Sequence, residues 1–279
     1  MQESILSIKN LNVTFSTPRG PFHAVKNLSF SMGVEKVGVV GESGSGKSIT
    51  SKSALGLLRK PTIVQADEIS FRDIDLRDLN SSQWRKIRGR RISMIMQDPH
   101  YSLNPIMSVG KQIMESYLTH HHVSKAEAKA KTLEMLASVR INNPERVFDA
   151  YPHEISGGMG QRIMIAMMLI PQPELLIADE PTSALDVSVQ NQILSLINDM
   201  VTQRNMGLIF ISHDLNLVSR FCDRVIIMYR GRIVDECPAS QLHESKHPYT
   251  QGLLNCVPSL DQKRTRLEVL NREKLRSLE

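Results

Sequence analysis

A short apolar run, KVGVV at residues 36–40, leads directly into GESGSGKS, Gly41–Ser48, and then into a helix-compatible segment that opens with Ile49. An unbroken apolar strand followed by a glycine-rich turn and a helix is the pattern of a buried central strand in an α/β sheet. The turn matches G-x-x-x-x-G-K-[ST] in the setting that motif requires. Gly41, Gly44 and Gly46 let the backbone turn tightly, so that the amides of Glu42, Ser43 and Ser45 and the following helix end aim positive charge at phosphate oxygens. Lys47 adds a point charge for the outer phosphates, and the Ser48 hydroxyl suits a bridging Mg²⁺.

A second strand, LLIADE, ends in two adjacent acids, Asp179 and Glu180. In open α/β sheets ligands bind at the carboxyl ends of strands, so both carboxylates are expected near the bound phosphates. Strand alternation sends them different ways, Asp179 toward the metal's water shell and Glu180 toward an attacking water.

The chain has 279 residues, 41% hydrophobic and 23% charged, which excludes disorder of the whole chain and allows a substantial core. The longest apolar run, IMIAMMLI at residues 163–170, is far short of the roughly 20 residues of a membrane-spanning helix, so a chain that does not cross the membrane is expected. The beginning of the sequence carries Glu3 and no sustained apolar stretch, against a secretory signal. Cys222, Cys237 and Cys256 are odd in number and widely spaced, which fits free thiols in a reducing compartment. A net charge of +5 comes from 34 basic and 29 acidic residues interleaved along the chain, so charge gives no reason to expect nucleic acid. The densest basic stretch, WRKIRGRR at residues 84–91, is read as a solvated helix end, with a contact surface as the alternative.

Up to about Met96 the pattern is strand-rich, and from Asp98 it turns helical, with VGKQIMESYL and KAEAKAKTLEMLASV showing three- and four-residue apolar spacing. An inserted helical subdomain over about 98–170 is expected, after which strands ELLIAD, GLIFIS and RVIIMY and a helix from about Val187 to Arg204 resume the α/β pattern. The nucleotide-binding domain is expected over 1–260, with a short charged tail at 261–279. His120, His121 and His122 are read as a polar loop rather than a metal site, because adjacent residues on a helix diverge.

A third motif, SGGMGQR at residues 156–162, resembles the signature of the ATP-binding cassette (ABC) ATPases. The resemblance extends to Gln97 in MIMQDP as the Q-loop, to SALD ending at Asp186 as the D-loop, and to His213 in ISHD as the switch histidine. It implies an α/β fold in which a P-loop ATPase core carries an antiparallel β subdomain and an inserted helical subdomain. It further implies that two ATPase subunits pair head to tail, with Ser156, Gly157 and Gly158 of one completing the ATP site of the other. The roles implied are Glu180 polarising the attacking water and His213 holding water and γ-phosphate in register. Gln97 and Ser48 bind Mg²⁺, Asp179 supports it through water, and Phe15 stacks on adenine. A core phenylalanine is the alternative reading of Phe15.

Within that family VGESGSGKS, QDPHYSLNPIMSVG, ADEPTSALDVSVQ and HPYTQGLL make the chain similar to the ATPases of peptide and nickel importers. This implies a second, different ATPase subunit, two transmembrane permease subunits, an extracytoplasmic solute-binding protein and a place at the cytoplasmic face of the inner membrane. A non-transport ABC ATPase acting on DNA or ribosomes is the alternative. Met159 replaces the usual signature Gln, Val34 stands where a Gly precedes Glu35, and no cysteine-containing extension follows VPSL, so no iron–sulfur role is expected there.

Overall fold

The computed structural model of the chain describes residues 4–97, 102–183 and 185–256. These form two compact units, one from the residues up to Asp78 and from Ile209 onward, the other from Leu79–Leu208. The expected tail at 261–279 lies outside the described residues.

The first unit begins with a long ribbon, β1 (Leu6–Thr17) and β2 (Gly20–Met32), antiparallel from Leu6↔Met32 to Thr17↔Gly20. Leu6, Ile8, Leu11 and Val13 of β1 are buried, and register shifts at Leu11 and Val13 keep the apolar set on one face. β3 (Lys36–Val40) and α1 (Lys47–Ala54) follow, then the short strands β4 (Ile63–Gln65), β5 (Glu68–Phe71) and β6 (Ile74–Asp75). β1 is flanked by β2 and β5, β6 pairs β5, and β4 also pairs β1.

In the second unit α2 (Ser81–Ile87) starts with a reciprocal cap between Asn80 and Gln83. The basic stretch therefore begins inside a helix, and the Arg88 guanidinium lies 4.1 Å over the Trp84 ring. β7 (Ile92–Ile95) runs parallel to β8 (Leu175–Asp179), Ile92 opposite Leu175, and both are buried throughout. The helices between them are α3 (Val109–His120), α4 (Lys125–Ser138), α5 (Pro144–Asp149) and α6 (Gly157–Leu169). α7 (Val187–Gln203) follows β8 and buries Ile193, Leu196 and Ile197.

β9 (Gly207–Ile211) returns the chain to the first unit, where α8 (Leu215–Phe221), β10 (Arg224–Tyr229), β11 (Arg232–Pro238) and α9 (Pro248–Cys256) complete it. β3 has β9 on one side and β10, parallel to it, on the other, and β11 pairs β10 antiparallel. β3 lacks a side chain at Gly38 for a packing reason: a Cβ there would lie 2.2 Å from Val218 Cγ1 and 3.2 Å from Cys222 Sγ, so α8 can lie close over the strand. The turn carrying Val34 is closed by Glu35, whose carboxylate accepts from the Gly33 amide at 3.2 Å and pairs with Arg224 at 2.8 Å. Among the described residues no helix is long and apolar enough to cross a membrane.

Candidate functional site

The phosphate loop is shaped by what surrounds it. Gly41 has φ +153, and a Cβ there would lie 2.2 Å from the Met228 carbonyl oxygen of β10 and 2.8 Å from Ser45 Oγ. Gly46 takes the left-handed conformation at φ +104 as the N-cap of α1, with the Ala24 carbonyl 2.9 Å from where a Cβ would stand. Only glycine meets both demands. The loop closes on itself through Ser45 N–H to Glu42 O at 3.1 Å, and the Gly231 amide donates to Ser45 O at 2.9 Å.

Lys47 is drawn into this frame. Only 7% of it is exposed, and its ammonium donates to Gly41 O at 2.8 Å and Glu42 O at 3.0 Å. A buried ammonium needs such partners, and loop carbonyls are ones that a phosphate oxygen can supplement without repacking the lysine. Ser43 and Gly44 stay exposed, Ser48 and Ile49 are half-buried, and a cavity of about 220 Å³ opens beside Glu42, Ser43, Gly44, Ser45, Tyr229 and Arg230. Phe15 is half-buried on β1, paired with Phe22, which is 57% exposed. The pair lies beside the Thr17–Gly20 turn that closes the ribbon.

His213 follows β9 and is exposed. Its neighbours fix it: the Ser212 amide donates to Val39 O of β3 at 3.2 Å, and the Asp214 carboxylate caps α8 by accepting from Leu217 N–H at 3.0 Å.

In the second unit Asp179 ends β8, buried to 7% exposure. Strand alternation was expected to separate the two acids, but Glu180 has already left the strand, in a left-handed conformation at φ 47. The turn, not the pleat, redirects its carboxylate. A non-glycine residue held there signals local strain of a kind that clusters at working sites. Gln97 Nε2 donates to Glu180 Oε2 at 3.2 Å, joining the Q-loop residue to the expected base. Gln161, 2% exposed, donates to Pro181 O and ties α6 to the turn that carries Glu180. The signal for Gln161 in the sequence is slight: it is one of two adjacent polar residues, with Arg162, ahead of the apolar run of α6.

Ser156 caps α6, its hydroxyl accepting from Met159 N–H at 3.4 Å, so the residue that replaces the usual signature Gln still serves the cap through its backbone. Ser156 and Gly157 are exposed, and Gly158 is half-buried, with Val189 Cγ1 3.3 Å from a Cβ placed there. Asp186 caps α7 by accepting from Val189 N–H at 3.0 Å.

Among the described residues no cluster of three or more His, Cys, Asp or Glu side chains forms a metal site. His120 closes α3 instead of lying in a loop, and burial lowers its pKa. His121 stacks on Tyr117 with ring centroids 4.3 Å apart. His247 Nδ1 accepts from Tyr249 N–H at 3.3 Å, at the start of α9. What the cap serves is visible two residues on. Tyr249, 1% exposed, packs its ring at a tilt against Tyr229, centroids 4.4 Å apart, and accepts the Glu42 N–H of the phosphate loop on its hydroxyl at 3.2 Å.

The donor chemistry fits Mg²⁺ within each unit: a hydroxyl at Ser48, and an amide oxygen at Gln97 with a buried carboxylate at Asp179. A sparse set of oxygen ligands suits a cation that retains water and shares substrate phosphates.

The family model for ABC transporters matches residues 25–183, and the model for the oligopeptide/dipeptide transporter C-terminal region matches residues 238–278. The dipeptide transport ATP-binding protein DppD of Haemophilus influenzae is 46% identical over 269 residues, 96% of this chain and 82% of that protein. The oligopeptide transport ATP-binding protein OppD of Escherichia coli is 46% identical over 261 residues, 93% of this chain and 77% of that one. Among solved structures, a dimeric post-hydrolysis state of the ATP-binding cassette MJ0796 bound to ADP and Pi superposes with a TM-score of 0.75 at 25% identity. It covers 84% of this chain and 98% of that one. CbiO1 from Clostridium perfringens, part of the transporter complex cbiONQ, gives a TM-score of 0.73 at 25% identity, covering 88% and 93%.

Proposed function

This chain belongs to the ABC transporter ATPases, and on that premise we propose that it hydrolyses ATP to drive peptide uptake through a membrane permease. The observation that carries the nucleotide part is the formed phosphate loop, with Lys47 already clamped on the Gly41 and Glu42 carbonyls and Ser43 and Gly44 open to a ligand. The cargo rests on the relatives that name dipeptide and oligopeptide transport and on the match over residues 238–278, and the direction on the resemblance to peptide and nickel importers.

In this reading Lys47 and the loop amides hold the outer phosphates, and Phe15 stacks on the adenine. Ser48, Gln97 and Asp179 would hold Mg²⁺, the last through water, and the cation would neutralise charge on the phosphates. Glu180 polarises the water that attacks the γ-phosphate in line, and Gln97 orients the Glu180 carboxylate through its amide hydrogen bond. His213 keeps water and γ-phosphate in register. The Ser156–Gly158 turn acts in trans, on nucleotide held by a second ATPase subunit that is a different chain. The pair sits at the cytoplasmic face of the inner membrane beneath two permease subunits, fed by an extracytoplasmic solute-binding protein.

Two measurements test this. An equilibrium nucleotide titration of Lys47→Ala is expected to show at least about a tenfold loss of affinity, since a charge-assisted bond to phosphate is removed. Purification from detergent-solubilised membranes is expected to recover the chain with two hydrophobic proteins. Unchanged affinity would defeat the nucleotide reading, and recovery with ribosomes or DNA would defeat the transport reading.

A further inference from the structure

The peptide between Gly41 and Glu42 is held from both edges. Its carbonyl accepts from Lys47 Nζ at 2.8 Å, and its N–H donates to the Tyr249 hydroxyl at 3.2 Å, across 207 positions of sequence. We propose that α9 braces the phosphate loop and that Tyr249 is a positioning residue for nucleotide binding: by taking the Glu42 N–H it fixes the peptide plane whose carbonyl holds Lys47.

The brace is built to be stiff. Tyr249 is 1% exposed and Thr250 is 0% exposed. Thr250 Oγ1 donates to Asp235 Oδ2 of β11 at 2.6 Å, and Ser245, just before α9, donates to the same carboxylate oxygen. The Tyr249 ring rests on Tyr229, the last residue of β10, and the preceding residue Met228 supplies the carbonyl that excludes a side chain at Gly41. The loop strand, β10 and α9 therefore meet at one peptide. The hydroxyl of Tyr229 has no hydrogen-bond partner among the described residues, so of the two tilted rings it is Tyr249 that bonds the loop.

Both groups of this peptide are strong hydrogen-bonding groups, and rotation of its plane would move donor and acceptor together. Without the phenol oxygen the Glu42 N–H loses this acceptor, and turning toward a different one carries the Gly41 carbonyl away from Lys47. The ammonium then loses the position from which it meets the phosphates. The effect is expected on nucleotide affinity and not on the chemical step, because the Tyr249 hydroxyl acts on the peptide that positions Lys47.

This inference rests on the nucleotide-binding reading, and the experiment separates the two. ATP affinity, KM and kcat are measured for the full-length chain, in complex where turnover requires it, for wild type, Tyr249→Phe and Lys47→Ala. Tyr249→Phe keeps the ring packing and removes one neutral hydrogen bond, so Kd and KM should rise about threefold to tenfold with kcat within about twofold. Wild-type affinity in a folded Tyr249→Phe, alongside weakened binding in Lys47→Ala, overturns the brace and leaves the nucleotide reading intact. A drop in kcat at unchanged KM overturns it as well. Amide hydrogen exchange on the wild-type chain needs no variant to fold: the Glu42 amide should be protected without nucleotide, and exchange at the rate of an open loop would overturn the proposal.

Discussion

The phosphate loop and the signature turn both present glycines beside a helix N-terminus, yet the chain constrains them in opposite ways. At Gly41 and Gly46 the glycine is demanded from within, by carbonyls 2.2 and 2.9 Å from where a Cβ would stand and by left-handed backbone. At Gly157 no atom of the described residues lies within 4 Å of such a Cβ, and the residue opens a regular helix. Glycine at a helix start is less favourable than alanine when only the helix is considered. The difference teaches that Gly41 and Gly46 are required by the folded surroundings of the loop, whereas no described neighbour requires a glycine at 157. In the proposed function the second, different ATPase subunit faces this turn.

The largest effect should come at the turn after β8. Glu180→Gln keeps an acceptor for the Gln97 amide but removes the base, so turnover should fall about 10²- to 10⁴-fold while equilibrium nucleotide binding stays within about twofold. Next comes the loop: Gly41→Ala forces a side chain onto the Met228 carbonyl in a strained backbone region, and denaturant unfolding should show a loss of roughly 2–4 kcal/mol. Gly157→Ala is the counterpart that breaks or sharpens the contrast. It should leave stability unchanged or raise it by up to about 1 kcal/mol, while ATP-driven association of the cassettes, followed by sedimentation, weakens about tenfold. A destabilised Gly157→Ala with normal association would erase the distinction.

The smallest expected effect is an absence of change behind β3. Burial pushes the Cys222 thiol up to about 12, so at about pH 8 almost none of it is thiolate in the folded chain. Iodoacetamide should leave Cys222 unmodified until denaturant is added, which mass mapping can read directly.

Much of this was legible from residues close together in sequence. KVGVV and GESGSGKS announce strand, turn and phosphate-binding helix because all their constraints are local, and the same holds for LLIAD and the long helix after Asp186. The first half of the ribbon strand β2, GPFHAVK, carries no apolar run that marks a strand, because it is held to β1 by backbone pairing. β11 was missed for a similar reason: its residues are half-buried or exposed, so no run of apolar side chains marks it. The direction of Glu180 depends on a single left-handed residue, which no period in the sequence records. Tyr249 was seen only as part of a motif, HPYT, because its bond to Glu42 is a tertiary contact. The capping role of His247, by contrast, follows from Pro248 at the first turn of α9.

The most direct test is the structure of the assembled complex carrying Glu180→Gln, trapped with ATP and Mg²⁺. The account predicts the Ser156 hydroxyl and the Gly157 and Gly158 amides within hydrogen-bonding distance, about 3 Å, of a triphosphate whose other side rests on the glycine loop of the paired subunit. A trapped state with ATP on the loops and Ser156 facing only solvent would contradict it.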